Sequence, residues 1–258
     1  MRNIIKNTIE NYLEEFRDET GTENYWRKPL IGYADARSPV FDDIKRITKV
    51  ADHQHPTDYL ADASIIISYF LPIRKEVVKG NSTGHKVGLA SEPWDKCYIA
   101  SFTLGDLINE RIAEVVKQSG YSAAIPPNGC IDKVILKGCW SDRHVAWIAG
   151  LGTFGLNNFL ITEKGCAGYY FSVITNLPIP PDQIQAGELC LYKRNGKCGV
   201  CVERCVAGAF SENGFDRNKC FEMTRNDQTR NKGAGAPVND MDTIACGNCM
   251  TGLPCSSW

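Results

Sequence analysis

The sequence predicts an α/β domain of α+β type over residues 1–182, followed by a small cysteine-rich module over residues 183–258. Three observations carry this. Segments of helical and strand-like pattern alternate as far as Thr175. The proline-rich connector Leu177 to Asp182 (LPIPPD) then interrupts them, since clustered prolines continue neither a helix nor a strand. Beyond it lie eight of the twelve cysteines, from Cys190 to Cys255.

The elements follow in order. Ile5, Ile9, Tyr12, Leu13 and Phe16 form one apolar stripe with polar and acidic residues between them, which predicts an amphipathic first helix. Lys28 to Ala36 (KPLIGYADA) reads as a short strand and turn. Phe41, Ile44, Ile47 and Val50 recur at three-residue spacing and suggest a second short helix. Ala63 to Leu71 (ASIIISYFL), ended by Pro72, is a continuous β-branched and aromatic run, the mark of a buried central strand. Tyr98 to Gln118 is the strongest helical pattern, stopped at Gly120. Tyr121–Ile125 and Val134–Leu136 are candidate strands around the Pro126–Gly129 turn. A helix over Asp142–Ala149 leads into the glycine-rich stretch Gly150–Gly155, and Phe159–Thr162 with Tyr169–Thr175 reads as a strand pair. In the second module periodic structure fades, and Asn226–Asp240 reads as a polar loop.

Composition narrows the function. Lys and Arg number 29 against 30 Asp and Glu, so the chain lacks the basic excess of a dedicated nucleic-acid binder. Its longest apolar run, Ser64–Pro72, is strand-sized, too short to span a bilayer. The N-terminus interleaves charges with apolar residues and carries neither a secretory nor a twin-arginine signal, so the expected location is cytoplasmic. In a reducing compartment twelve cysteines point to metal or redox chemistry more than to disulfides.

Spacing sharpens this. The module reads Cys190, Cys198-x2-Cys201-x3-Cys205, Cys220, then Cys246-x2-Cys249-x5-Cys255. In two-cluster bacterial ferredoxins a tight run of cysteines wraps one 4Fe–4S cubane while the next cysteine ligates the other cluster. That logic assigns one cluster to Cys190, Cys198, Cys201 and Cys255 and a second to Cys205, Cys220, Cys246 and Cys249, with Cys166 as the reserve ligand. Three features depart from the bacterial pattern: the gap before Cys198 is seven residues, Val206 stands in place of proline, and five residues precede Cys255. Zinc is the alternative, but 44 residues separate Cys201 from Cys246, and a single zinc site leaves four cysteines idle.

With these residues in view, the chain resembles the epoxyqueuosine reductase and reductive dehalogenase group. The likeness lies in His55–Pro72 (HPTDYLADASIIISYFLP), Ala149–Thr162 (AGLGTFGLNNFLIT), Tyr169–Asp182 (YYFSVITNLPIPPD) and the cysteine module, where CVAGAF follows the group's pattern. The resemblance implies a nitroreductase-like, cobalamin-binding domain ahead of a bacterial-ferredoxin-like two-cluster module. It also implies that Gly150, Gly152, Thr153, Gly155, Leu156 and Asn157 lie against the corrin. A turn between helix and strand is the competing explanation of the glycines. The tRNA-modifying members carry a catalytic aspartate ahead of this loop and a helical-repeat domain after the clusters. Neither is recognisable here, so the expected substrate is a small molecule and not nucleic acid, with no catalytic residue assigned.

The expected function is a cobalamin-dependent iron–sulfur reductase supplied by a donor such as ferredoxin or flavodoxin. Three alternatives stay open: an electron-transfer protein that activates a corrinoid protein partner, a flavin in place of the corrin, and a non-catalytic corrinoid binder. Among other residues, His53 and His55 read as a solvated loop more than a metal pair, and His144 as structural. Tyr69, Tyr98, Tyr169 and Tyr170 are core aromatics or proton donors, and Cys130 and Cys139 are buried thiols.

Overall fold

The computed structural model describes residues 1–48, 50, 53–82, 90–127, 131–132, 136–211, 214–232 and 246–258, without the side chains of 131–132 and 225–232. Helix α1 (Arg2–Thr20) buries Ile5, Ile9, Leu13 and Phe16, the stripe read from the sequence, and ends on Gly21 at φ 62°, a left-handed stop that favours glycine. Strand β1 (Leu30–Asp35) and helix α2 (Val40–Thr48) follow, α2 burying Phe41 and Ile44. The short helix α3 (Pro56–Tyr59) is opened by a capping box between His55 and Asp58. Strand β2 (Ile65–Pro72) is buried along its whole length, as its unbroken apolar run predicts.

Helix α4 (Lys75–Ser82) precedes the long helix α5 (Glu92–Gln118), which begins earlier than its apolar pattern, at the Ser91 N-cap with a proline in its first turn. Three two-residue strands follow: β3 (Ala123–Ala124), β4 (Ile131–Asp132) and β5 (Lys137–Gly138). Val134 and the tip of the expected turn lie outside the described residues, as does Cys130. Then come α6 (Asp142–Ile148), β6 (Gly152–Phe154), β7 (Leu160–Thr162) and β8 (Gly168–Thr175).

The main sheet is antiparallel with order β1-β2-β8-β3. Alternation along β2 sorts its side chains between two helical layers. Ile65, Ile67, Tyr69 and Leu71 join the α1 and α5 residues in one core, while Ile66 packs on the opposite face with Phe41, Val145 and Ile148. This is the mixed α/β domain expected. One pairing differs: the segment at 160–162 does not pair with the strand at 168–175. Instead β7 forms a hairpin with β6, the glycine stretch that reads as a loop in sequence, while β8 pairs with β2 and β3.

After the connector come the short elements α7 (Leu191–Asn195), α8 (Val200–Glu203) and the hairpin of β9 (Phe210–Ser211) and β10 (Gly214–Phe215), followed by the longer helix α9 (Arg217–Lys232). The helix α9 runs through the first part of the polar stretch read as a loop, and 233–245 lie outside the described residues.

Candidate metal centre

The eight clustered cysteines are set out by turns. Cys190 caps α7, Cys201 sits within α8, Cys220 lies in the first turn of α9, and Cys246–Cys249 frames a turn just before the C-terminus. Cys190, Cys198, Cys201 and Cys255 together line one partly open pocket, whose other walls include Leu156, Asn157, Ile161 and Leu253. The Cys201 thiol is pushed up to about 11, first by burial and then by the thiols of Cys255, Cys190 and Cys198.

The other four form a second neighbourhood. Burial pushes the Cys249 thiol well up, and Cys246, Cys220 and Cys205 add to it. Cys220 is raised by burial and by Cys205. Cys205, Cys220, Cys246 and Cys249 thus influence one another's charge, as the four thiols lining the pocket do. Two backbone N–H groups donate to these sulfurs, Leu156 to Cys190 Sγ at 3.4 Å and Ala209 to Cys205 Sγ at 3.4 Å. The donor set is all sulfur, its thiols are crowded and desolvated, and one set rings a void. Among the described residues no three His, Cys, Asp or Glu side chains converge closely enough to share one metal ion.

The loop expected to hold the corrin is a buttress for this module. A Cβ on Gly152 would stand 2.0 Å from the Ile161 carbonyl oxygen, which is why the tight β6–β7 hairpin takes glycine there. Gly150 has φ 74° and runs against the Gln183 backbone, and Gly155 against Asn157 and Ile161. The Thr153 hydroxyl donates to Glu188 at 2.9 Å and accepts from the Leu189 N–H at 3.0 Å. Leu156 and Asn157 face the first cysteine cavity. The buried Asn157 amide donates to the Cys249 carbonyl at 2.7 Å and to Cys166 Sγ at 3.5 Å.

Cys166 is fully buried against Cys255; its S–H donates to the Cys255 sulfur, raising its own pKa and lowering that of Cys255. The two segments also pair through their backbones, Cys166 N–H to Cys255 O at 2.8 Å and Ala167 N–H to Ser256 O at 2.9 Å. Asn81 makes another tie that no sequence pattern announces: its amide donates to the Cys246 carbonyl at 3.1 Å while its oxygen accepts from the Ser91 N–H at 2.8 Å.

The remaining candidates are mostly structural. Tyr69 donates to the Gly105 carbonyl, Tyr170 to the Leu160 carbonyl, and Tyr98 and Tyr169 pack edge to face; burial raises all four hydroxyls. His144 is held by Ser141 and Phe154. His53 departs from the solvated-loop reading: it is buried against Trp140, with neither ring nitrogen hydrogen-bonded, and burial lowers its pKa. Cys139 is buried as expected but is disulfide-bonded and not a free thiol.

No family model matches the chain. It is 36% identical over 121 residues to an epoxyqueuosine reductase of Bacillus anthracis, an alignment covering 44% of this chain and 29% of that protein. Its fold is similar to an epoxyqueuosine reductase solved with an epoxyqueuosine-modified tRNA-Tyr stem loop (TM-score 0.55, 18% identity, 97% of this chain and 66% of that one). It is also similar to a reductive dehalogenase described in terms of B12-dependent dehalogenation (TM-score 0.53, 16% identity, 81% of this chain and 28% of that one). The likeness to this group holds in both sequence and fold, while the chain spans less than a third of the curated relative it matches.

Proposed function

We propose that this protein is an iron–sulfur oxidoreductase carrying two 4Fe–4S clusters, one held by Cys190, Cys198, Cys201 and Cys255, the other by Cys205, Cys220, Cys246 and Cys249. The observation that carries this reading is the cavity walled by the first four thiols, matched by the separate grouping of the other four around Cys249. A cubane spreads its ligands over its corners, which suits sulfurs ringing a void, whereas zinc draws four ligands onto one point. The clusters supply one-electron storage and transfer. The chain contributes burial and N–H···S bonds from Leu156 and Ala209, both of which tune the potential.

The electron acceptor in this reading is a cobalamin on the α/β domain, used to reduce a small molecule, with ferredoxin or flavodoxin as donor. Its support is the fold shared with a B12-dependent dehalogenase. The expected cradle is Gly150, Gly152, Thr153, Gly155, Leu156 and Asn157; the Cβ positions of its three glycines are filled by protein atoms, while Leu156 and Asn157 line the pocket of the first four cysteines. The filled Cβ positions of those glycines favour a second reading, an electron-transfer protein that reduces the corrinoid of a partner. A small-molecule substrate is preferred over RNA on the net charge of −1, although one structural neighbour was solved with a tRNA stem loop.

The test is anaerobic reconstitution with iron and sulfide, then incubation with cobalamin, gel filtration and metal analysis. About eight irons per chain, from two four-iron clusters, together with retained cobalt is the expected result. Iron without cobalt selects the electron-transfer reading, and zinc without iron overturns the cluster assignment. Retention of a tRNA stem loop on the same column overturns the small-molecule preference.

A further inference from the structure

Three arginines from three separate segments interact electrostatically with the second cysteine set. Arg143, in α6, is close to Cys249 and to Arg217; it donates to the Asn158 carbonyl at 2.6 Å and lies 5.0 Å over the Phe159 ring. Arg204, just after α8, reaches Cys246 and donates to the Ser82 carbonyl at 2.9 Å. Arg217, opening α9, reaches Cys220 and lies 5.6 Å over the Phe215 ring. Among the described residues none of the three forms an ion pair with a carboxylate. Guanidinium stays charged in proteins; Asp142 offsets part of the Arg143 charge, while among the described residues no carboxylate acts on Arg204 or Arg217, so their charge is left to the thiols beside them.

The same neighbourhood holds unpartnered donors. The Nε of Arg204 and of Arg217 are buried with no hydrogen-bond partner, and so is the Nε1 of Trp94, a residue only 1% exposed. Trp94 packs on the Cys246–Cys249 turn so closely that a Cβ on Gly247 would stand 2.5 Å from that nitrogen. The cavity of the first set is different: none of its lining residues is charged.

We propose that Arg143, Arg204, Arg217 and Trp94 make the second centre the higher-potential member of the pair. This rests on the two-cluster reading above. A cluster held by four thiolates is an anion, and reduction makes it more negative. Nearby cations and N–H donors therefore stabilise its reduced state more than its oxidised state, and the uncharged first cavity offers no equal help. An electron shared by the two centres then resides on the second and leaves the first oxidised.

The holo-protein tests this by redox titration followed by EPR, with the second centre identified as the signal altered in Cys220→Ser. Two separable one-electron transitions are expected. Arg204→Gln and Arg217→Gln should each lower the reduced-to-oxidised ratio of the second centre about tenfold at a fixed potential, equivalent to about 59 mV for one electron. The first centre should stay where it is, and Arg217→Lys should restore most of the shift. Trp94→Phe, which keeps the ring and removes the N–H, should shift the second centre in the same direction by less. Should a glutamine variant fail to load iron, the Trp94→Phe shift decides. An unmoved second potential at full iron content, or equal movement of both centres, overturns the inference and leaves two clusters standing. Absence of two centres in the unaltered protein overturns both.

Discussion

Asp142 and His144 stand two positions apart in α6, and burial works on them in opposite senses. The Asp142 carboxyl is pushed up to about 6 by burial, although Ser172 donates to it at 2.5 Å; the His144 imidazole is pushed down to about 4 by burial and by Arg143. Between about pH 4 and 6 the folded chain keeps an Asp142 proton that the unfolded chain has released, so this group lowers stability as pH rises, by about 3 kcal/mol in all. Between about pH 6.5 and 4 the unfolded chain binds a His144 proton that the folded chain refuses, so that group lowers stability as pH falls, by about 3 kcal/mol. The two slopes oppose each other. Urea denaturation from pH 4 to 7 should show Asp142→Asn more acid-sensitive than the unaltered protein and more stable at pH 7, and His144→Gln less acid-sensitive; parallel profiles would exclude this account. Asn157 offers a second test at this scale. Asn157→Leu leaves the Cys249 carbonyl without its 2.7 Å donor, which should cost about 1–3 kcal/mol. Under the two-cluster reading the same variant should also lose iron faster to a chelator.

Among the elements, glycines give the clearest contrast. Gly105 lies within α5 where that helix crosses β8, and a Cβ there would come 2.1 Å from the Phe171 ring. Gly80, in α4, has open space around its Cβ position. Replacing a helical glycine by alanine gains up to about 1 kcal/mol when nothing is struck, and overpacking a core costs about 1–3 kcal/mol. Gly80→Ala should therefore raise Tm and Gly105→Ala lower it, a difference in sign that thermal melts read directly. The elements that sequence revealed are those whose burial is written in periodicity: α1 through its stripe, β2 through its unbroken apolar run. The β6–β7 hairpin was hidden because each arm has three residues, too few for alternation to show, and its glycines mimic a loop. The start of α5 was missed because its first turn carries a proline and charges ahead of the apolar pattern.

At the scale of the molecule the cysteine module is bound into the α/β domain. Asn81 and Asn157 hold the carbonyls of Cys246 and Cys249, Arg204 reaches Ser82, Met250 joins the α1–α5 core, and Arg27 donates to the Trp258 carbonyl. The cysteine clustering shows in spacing along the chain; these ties do not, since each joins residues more than ninety positions apart. Under the two-cluster reading, stripping iron removes ligation that is also folding free energy. The stripped protein should melt at a lower temperature than the loaded one, in a transition followed equally by tryptophan fluorescence and far-UV circular dichroism. An unchanged Tm would mean the thiols pack as well without metal.

The two cysteine groups are nested along the chain like brackets: Cys205, Cys220, Cys246 and Cys249 all fall inside the interval between Cys201 and Cys255. That interval is 54 positions long, and once the inner group is gathered the free path across it shrinks to about 10, easing closure of the outer group by about 1.5 kcal/mol. Order of assembly is thus written into connectivity. Under the two-cluster reading, gathering the inner site brings Cys255 nearer its three outer partners and so favours closure of the outer one.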